Sequence, residues 1–396
     1  MKLKSYLADL SVNSLPIEQQ QRILIDSVIE SYSTSERRAL FQTVTNYRIE
    51  QLVALFPDRQ RQSWSILFTL IDYRDLMQRC PYTASVEWAA IEKAASQCYV
   101  HWLEFWCQCE IAAIKAKYPI DASSPLQVDL PANDDAYYGG VIKHIEQSEL
   151  LVQTPSHPQG MSLSDAIVLS NLDVLIQGEK WYEMLPLLSL SAAGQHFILL
   201  KHPEDTTFPT LVASMLIQDW SINHQWLSYA TPFSHQQWQY CLPDHAYDEL
   251  ARLQIFSPPS LPTCYSLPQF DQQFQLRLSE QHAVCEVLRL TVSGNTQQKL
   301  YFLYLAQKEL MNLLHQMGYK IGLTIIEQPF MLNFYQTIDP KAYFHVGYCD
   351  LNDNGKQTYR GLWNFAMMAN VFSQIDFGQY KRAIREHKKH PSLAKG

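Results

Sequence analysis

No stretch of this 396-residue chain places basic residues ahead of an uninterrupted apolar run. Its most hydrophobic helical segment, 99–116, is broken by Glu104, Glu110 and Lys115. Neither export nor a membrane span is expected. Eight cysteines are scattered without a CxxC or finger-like spacing, which excludes a redox dithiol or zinc knuckle and suits reduced thiols in a cytoplasmic protein. The closest pair, Cys107 and Cys109, stands two apart on a helix and so points in different directions. Positive charge is short as well: 31 Lys and Arg against 39 Asp and Glu leave a net charge of −8 and no broad nucleic-acid footprint. The one basic cluster, Lys381, Arg382, Arg385, Lys388 and Lys389, reads as a solvated terminus. GxSxG, Walker, GxGxxG and HExxH patterns are all missing, which removes the commonest hydrolase, nucleotide and zinc sites.

What is present supports a packed core, with 47% hydrophobic and 18% charged residues. Apolar residues recur at three and four through 17–32, 35–56, 59–79 and 87–118, predicting helices. Pro-, Asn- and Asp-rich P-A-N-D-D-A-Y-Y-G-G at 131–140 marks a boundary, giving a helical domain 1–135 and a second domain 136–396. In the second, strands are expected at 195–201, 211–217, 250–256 and 284–292. A helix at 300–317, a strand at 320–327, a helix opened by Pro329 and strands at 342–350 and 357–364 complete it.

Two motifs imitate metal sites. D-L-N-D-N-G at 350–355 starts like a calcium loop, but its twelfth position is Gly361 instead of an acid and no helix flanks it, so a hairpin turn is the better reading. R-E-H-K-K-H at 385–390 lacks a third ligand. No metal is expected.

The stretch C-E-V-L-R-L-T-V-S-G, 285–294, has chemistry of another kind. Glu286 and Arg289 interrupt a strand pattern, and their odd spacing sends them to opposite faces of a regular strand. Burying either is costly unless it is paired or working. Arg252, on the strand expected before, completes a set of three. A structural account, with Arg289 neutralising an acid and Glu286 capping backbone, competes with a functional one.

These residues resemble the acyl-homoserine-lactone synthases. E-x-x-R-L-x-V, Glu286 to Val292, resembles the E-x-x-R-F-x-V strand of their LuxI-like members, whose fold is related to the GNAT N-acyltransferases. A-R-L followed by prolines resembles their preceding strand, and G-Y-K-I-G-L-T-I-I-E-Q-P-F-M-L-N-F-Y the strand and helix after their long helix. Length, the helical first half and T-Y-R-G-L-W at 358–363 are more similar to the larger LuxM/AinS type, over essentially the whole chain. The resemblance implies an α+β chain: a GNAT-like mixed twisted sheet flanked by helices, preceded by an all-helical domain. It implies S-adenosylmethionine and an acyl thioester, on acyl carrier protein or coenzyme A, as substrates, with no permanently bound cofactor. Glu286 would take the proton of the attacking amine. Arg289 and Arg252 would orient a carboxylate, the substrate's or that of Glu286. The basic tail would dock an acidic carrier protein.

The LuxI-like N-terminal signature of arginine, aromatic and acidic residues has no counterpart here. Trp181, Glu183, Asp219 and Trp220 are of the right type for the adenosylmethionine pocket. Another GNAT-type transferase acting on a different amine is the alternative. It would carry a glycine-rich pyrophosphate turn before the long helix, where S-G-N-T-Q-Q-K-L offers one glycine. A third reading is a partner-binding module joined to a degenerate transferase.

Overall fold

The computed structural model describes residues 15–57, 80, 85–120, 130–186, 193–203, 208–223, 226–230, 233–234, 236–326, 328–351 and 357–389. The helix expected at 59–79 and most of the turn at 351–356 lie outside them. In chain order come α1 (Ile17–Ser31), α2 (Thr34–Leu55), α3 (Val86–Cys98), α4 (Trp102–Lys117), β1 (Tyr137–Ile142), β2 (Leu151–Thr154), β3 (His157–Ser162) and α5 (Leu163–Ser170). Then follow β4 (Gln195–Lys201), β5 (Thr210–Asp219), β6 (Gln239–Tyr240), α6 (Asp244–Arg252), α7 (Leu267–Arg277), β7 (Val284–Val292) and α8 (Thr296–Gln316). The chain closes with β8 (Ile321–Ile326), α9 (Pro329–Ile338), β9 (Tyr343–Cys349), β10 (Thr358–Asn364), α10 (Phe365–Gln374) and α11 (Phe377–Lys389).

Two compact units emerge: Met1–Pro125 with His157–Ala192, and Leu126–Ser156 with Ala193–Gly396. The first holds α1 to α4 around an aromatic core, in which Phe41 stacks on Trp106 at 5.5 Å. The helix expected over 87–118 is two helices. His101 ends the pause between them by accepting the Glu104 N–H on Nδ1, so an imidazole caps α4. Buried arginines in this unit are paired: Arg48 with Glu92 at 2.6 Å, and Arg37 with Glu110, which the half-buried Arg38 also meets.

The second unit is a mixed sheet in the order β1-β4-β5-β7-β8-β10-β9-β6, with β2 parallel to β5. Along that order only β7 and β8 are parallel, and α8 is the crossover a parallel pair requires. An Asn295–Gln298 capping box starts α8, and Gly318 at φ +90° follows its end. Phe197, Met215, Val287, Phe302, Leu310 and Phe365 share the core under α8. Gly322 and Gly361 keep the strands flat beneath Phe365 and Tyr343, whose ring atoms would meet a Cβ at 2.3 and 2.2 Å.

One expected strand is absent. Residues 250–256 end α6 and turn, leaving Phe256 in an isolated bridge to Leu278. The buried pair Ala246 and Leu250 has the four-residue spacing of a helix face, which outweighed the strand-like run after it. α7 was not foreseen, although Ser266 followed by Leu267-Pro268 is a helix start: the Ser266 hydroxyl accepts the Gln269 N–H.

Candidate active site

β7 and β8 pair only from Val284 to Val287 and from Ile321 to Thr324. Beyond these rungs β7 remains on β5 up to Val292, while β8 remains on β10 up to Ile326, so the two parallel strands part. Glu286, opposite Leu323, stands at the last rungs before the split. Its position alternates with Cys285 and Val287, which face the α8 core, and it therefore faces the other way.

The Glu286 side chain is fully buried. A short 3-10 turn, Leu227–Tyr229, covers it and donates two backbone amides, Leu227 N–H to Oε2 at 2.9 Å and Ser228 N–H to Oε1 at 2.7 Å. Burial pushes the carboxyl above its ordinary range; the Ser228 side chain, the two amides and the positive charge of Arg360 oppose that push. Each carboxylate oxygen keeps a lone pair beyond the one used by its amide.

Arg289 departs from the alternation expected of it. It adopts φ +57°, in the left-handed region, and with Leu290 it occupies a bulge opposite Met215 between the Leu288–Leu216 and Thr291–Ser214 pairs. The extra residue resets the strand. The Arg289 guanidinium feels the Glu286 charge, and its own charge acts on His196, which alternates with the core residue Phe197. Burial lowers the guanidinium to about 10, still charged near neutrality.

Arg252 does not join this group. It closes α6 as an exposed side chain, paired with Glu249 three residues back. Glu249 also meets Lys341, and Lys320 Nζ reaches the Leu253 carbonyl, so this end of α6 sits by the start of β8.

The arginine that the fold does bring to the Glu286 face is Arg360, on β10 beyond β8. It is buried, with Nη1 and Nη2 each 2.9 Å from an oxygen of Asp271 on α7. Nη1 also donates to the Phe233 carbonyl at 3.1 Å, and the guanidinium lies over the rings of Tyr229 (5.8 Å) and Trp238 (6.0 Å). The sequence had a signal for it: a lone arginine in T-Y-R-G-L-W, sharing a strand face with Leu362, is the anomaly that singled out Arg289.

Asp219 and Trp220 lie close by, at the end of β5 opposite Cys285. Asp219 accepts from Ser221 and from the Tyr319 hydroxyl, while Trp220 packs edge-on against Trp226 (4.7 Å) and Tyr229 (5.6 Å). Trp226 and Tyr229 lie parallel, and the buried Trp226 Nε1 bonds to no described atom. Trp181 belongs to the helical unit, and the Glu183 side chain is outside the described residues.

The profile of the family Acyl homoserine lactone synthase matches residues 18–393. The chain belongs to that family. The chain is 62% identical over 393 residues to the acyl-homoserine-lactone synthase LuxM of Vibrio harveyi, covering 99% of this chain and 98% of the relative. It is 52% identical over 385 residues to OpaM of Vibrio parahaemolyticus, with 97% of each chain covered. Solved structures include a CoA-dependent acyl-homoserine lactone synthase, MesI (11% identity, TM-score 0.25, 48% of this chain and 69% of that one). TofI, in a ternary complex with an inhibitor and MTA, matches at 10% identity and TM-score 0.30, over 54% of this chain and 91% of that one. The synthase is an acyltransferase that makes a quorum-sensing signal, and the alternative of a GNAT-type transferase acting on another amine is not favoured. Among the described residues, no helix is long and apolar enough to cross a membrane.

Proposed function

We propose that this synthase acylates the amine of S-adenosylmethionine and then lactonises the product at the split between β7 and β8. The carrying observation is a fully buried carboxylate, Glu286, at the last rungs before the strands part. An ammonium is no nucleophile until it loses a proton, and a carboxylate raised by burial is better matched to accept it near neutral pH. Glu286, directly or through one water, takes that proton. The nitrogen attacks the thioester carbon, the oxyanion is met by backbone N–H groups where the strands part, and the thiol leaves. The methionyl carboxylate then closes on the carbon beside the sulfonium, releasing methylthioadenosine. Arg289 is the anchor for a carboxylate in this scheme, and Arg252 has no part in it.

Either acyl carrier protein or coenzyme A can supply the thioester chemistry. The basic face of α11, with Lys381, Arg382 and Arg385, favours the acidic carrier protein. Tyr380 and Ile384 on the same helix are core residues, so charge reversal tests this better than truncation. Arg382→Glu with Arg385→Glu should raise KM for an acyl carrier protein donor and leave KM for the matching coenzyme A donor unchanged. Eight free cysteines suit a cytoplasmic setting, where both donors are made.

The test of the function is direct. Purified protein, adenosylmethionine and a series of acyl thioesters should yield methylthioadenosine and an acyl-homoserine lactone in equal amounts by mass spectrometry. Lactone-free release of free acid, or no turnover with any donor, contradicts the reading.

A further inference from the structure

The turn that covers Glu286 is itself held from two sides. Leu227 and Ser228 bond to the Glu286 carboxylate, while Phe233, through its carbonyl, and Tyr229 and Trp238, through their rings, rest on Arg360. Arg360 cannot swing freely to do this. Its two terminal nitrogens are fixed by both oxygens of Asp271, a fork-to-fork pair that sets the plane of the guanidinium. Arg360 and Asp271 are 2% and 5% exposed, so neither is a surface pair of small consequence. Burying two charges costs more in water lost than most such pairs return, and an apolar pair of equal volume would serve stability as well.

We infer that Arg360 and Asp271 are positioning residues of the synthase reaction: they fix the Leu227–Tyr229 turn over Glu286 and place one positive charge near its carboxylate. This rests on the reading of Glu286 as the proton acceptor. Among the described residues, the charged and titratable groups around Glu286 include Arg289 and Cys285 on its own strand, Tyr229 on the covering turn and Arg360 on β10; β8 and β5 pair beside it through Leu323 and Gln218. Arg360 opposes the effect of burial on Glu286, keeping more of it ionised at a given pH. Tyr229 stands among the fields of Asp271, Arg360 and Glu286 together.

A test must separate this role from plain structural support. Removing Arg360 alone would strand the Asp271 carboxylate in the core, so the informative variant replaces the ion pair by a neutral one, Arg360→Gln with Asp271→Asn. We expect it to fold, to turn over at least about tenfold more slowly, and to show the acidic limb of its kcat–pH profile shifted upward by about half a unit to one unit. Arg360→Lys keeps the charge and loses the fork. It should lower kcat with the limb nearly in place and KM for both substrates little changed. A folded double variant whose acidic limb coincides with that of the wild type overturns the inference, as does wild-type kcat in either variant. Glu286→Gln, run in parallel, should lose the acidic limb altogether; if it keeps wild-type activity, the proton-acceptor reading fails first and separately.

Discussion

At the scale of single residues, two charges on β7 stand within each other's field. Odd spacing places Glu286 and Arg289 on opposite sides of a regular strand, and the bulge at Arg289 breaks that regularity by adding one residue. No spacing argument reveals a bulge whose pivot is arginine, because positive φ is ordinarily advertised by glycine. Replacing Arg289 by glycine should therefore relieve strain. A gain of about 1 kcal/mol in unfolding free energy, read by urea titration, is expected together with at least a tenfold loss of turnover. Such opposed changes are the mark of strain held at a working site. Arg252 makes the contrary case. It was grouped with Glu286 on a strand that is in fact the last turn of a helix, and its guanidinium is exposed beside Glu249. Arg252→Ala should change stability by less than about 0.5 kcal/mol, with methylthioadenosine release within a few-fold of wild type.

Among elements, the legible parts were those with an uninterrupted period. β4, β5, β7, α8, β8, α9, β9 and β10 were all anticipated within a few residues. Elements whose pattern is short or mixed were missed: β1, β2, β3 and β6, the helices α5 and α10, and α7, where Pro268 looked like loop although proline is harmless in the first turn. That omission hid Asp271 and with it the partner of Arg360. Long-range pairing leaves no local trace. Glycines in strands were equally silent until the sheet was seen. Gly361 accommodates the Tyr343 ring and hydroxyl, the latter 2.0 Å from where a Cβ would sit. Gly361→Ala should cost about 1–3 kcal/mol by overpacking, seen as a lower melting temperature, since β10 cannot retreat from β8 and β9 at once.

For the whole molecule, the titration of buried groups links acidity to integrity. His101 in the helical unit and His196 and His345 in the sheet unit are each brought down to about 4, chiefly by burial. In the unfolded chain they return to about 6.5. Between those limits the unfolded state binds up to three more protons than the folded state, so stability is fully present above about pH 6.5 and declines as pH falls toward 4. Glu286 and Asp271, raised by burial, act in the opposite sense above the ordinary carboxylate range, and these three histidines, joined by His157, which burial also lowers, outnumber them. Urea midpoints measured from pH 7.5 to 4.5 should decrease steadily; a flat profile would mean these histidines titrate normally in the fold. The same burial that lowers the histidines raises Glu286, and here stability and catalysis meet. In place of Glu286, a glutamine keeps one acceptor but turns an N–H toward an amide N–H, a loss of about 1–3 kcal/mol. The most direct measurement is the pH dependence of single-turnover methylthioadenosine release for wild type and Glu286→Gln, at a temperature where both are folded. The account predicts a rate at least about a hundredfold lower in the variant, with no acidic limb; a wild-type rate and limb in Glu286→Gln would contradict it.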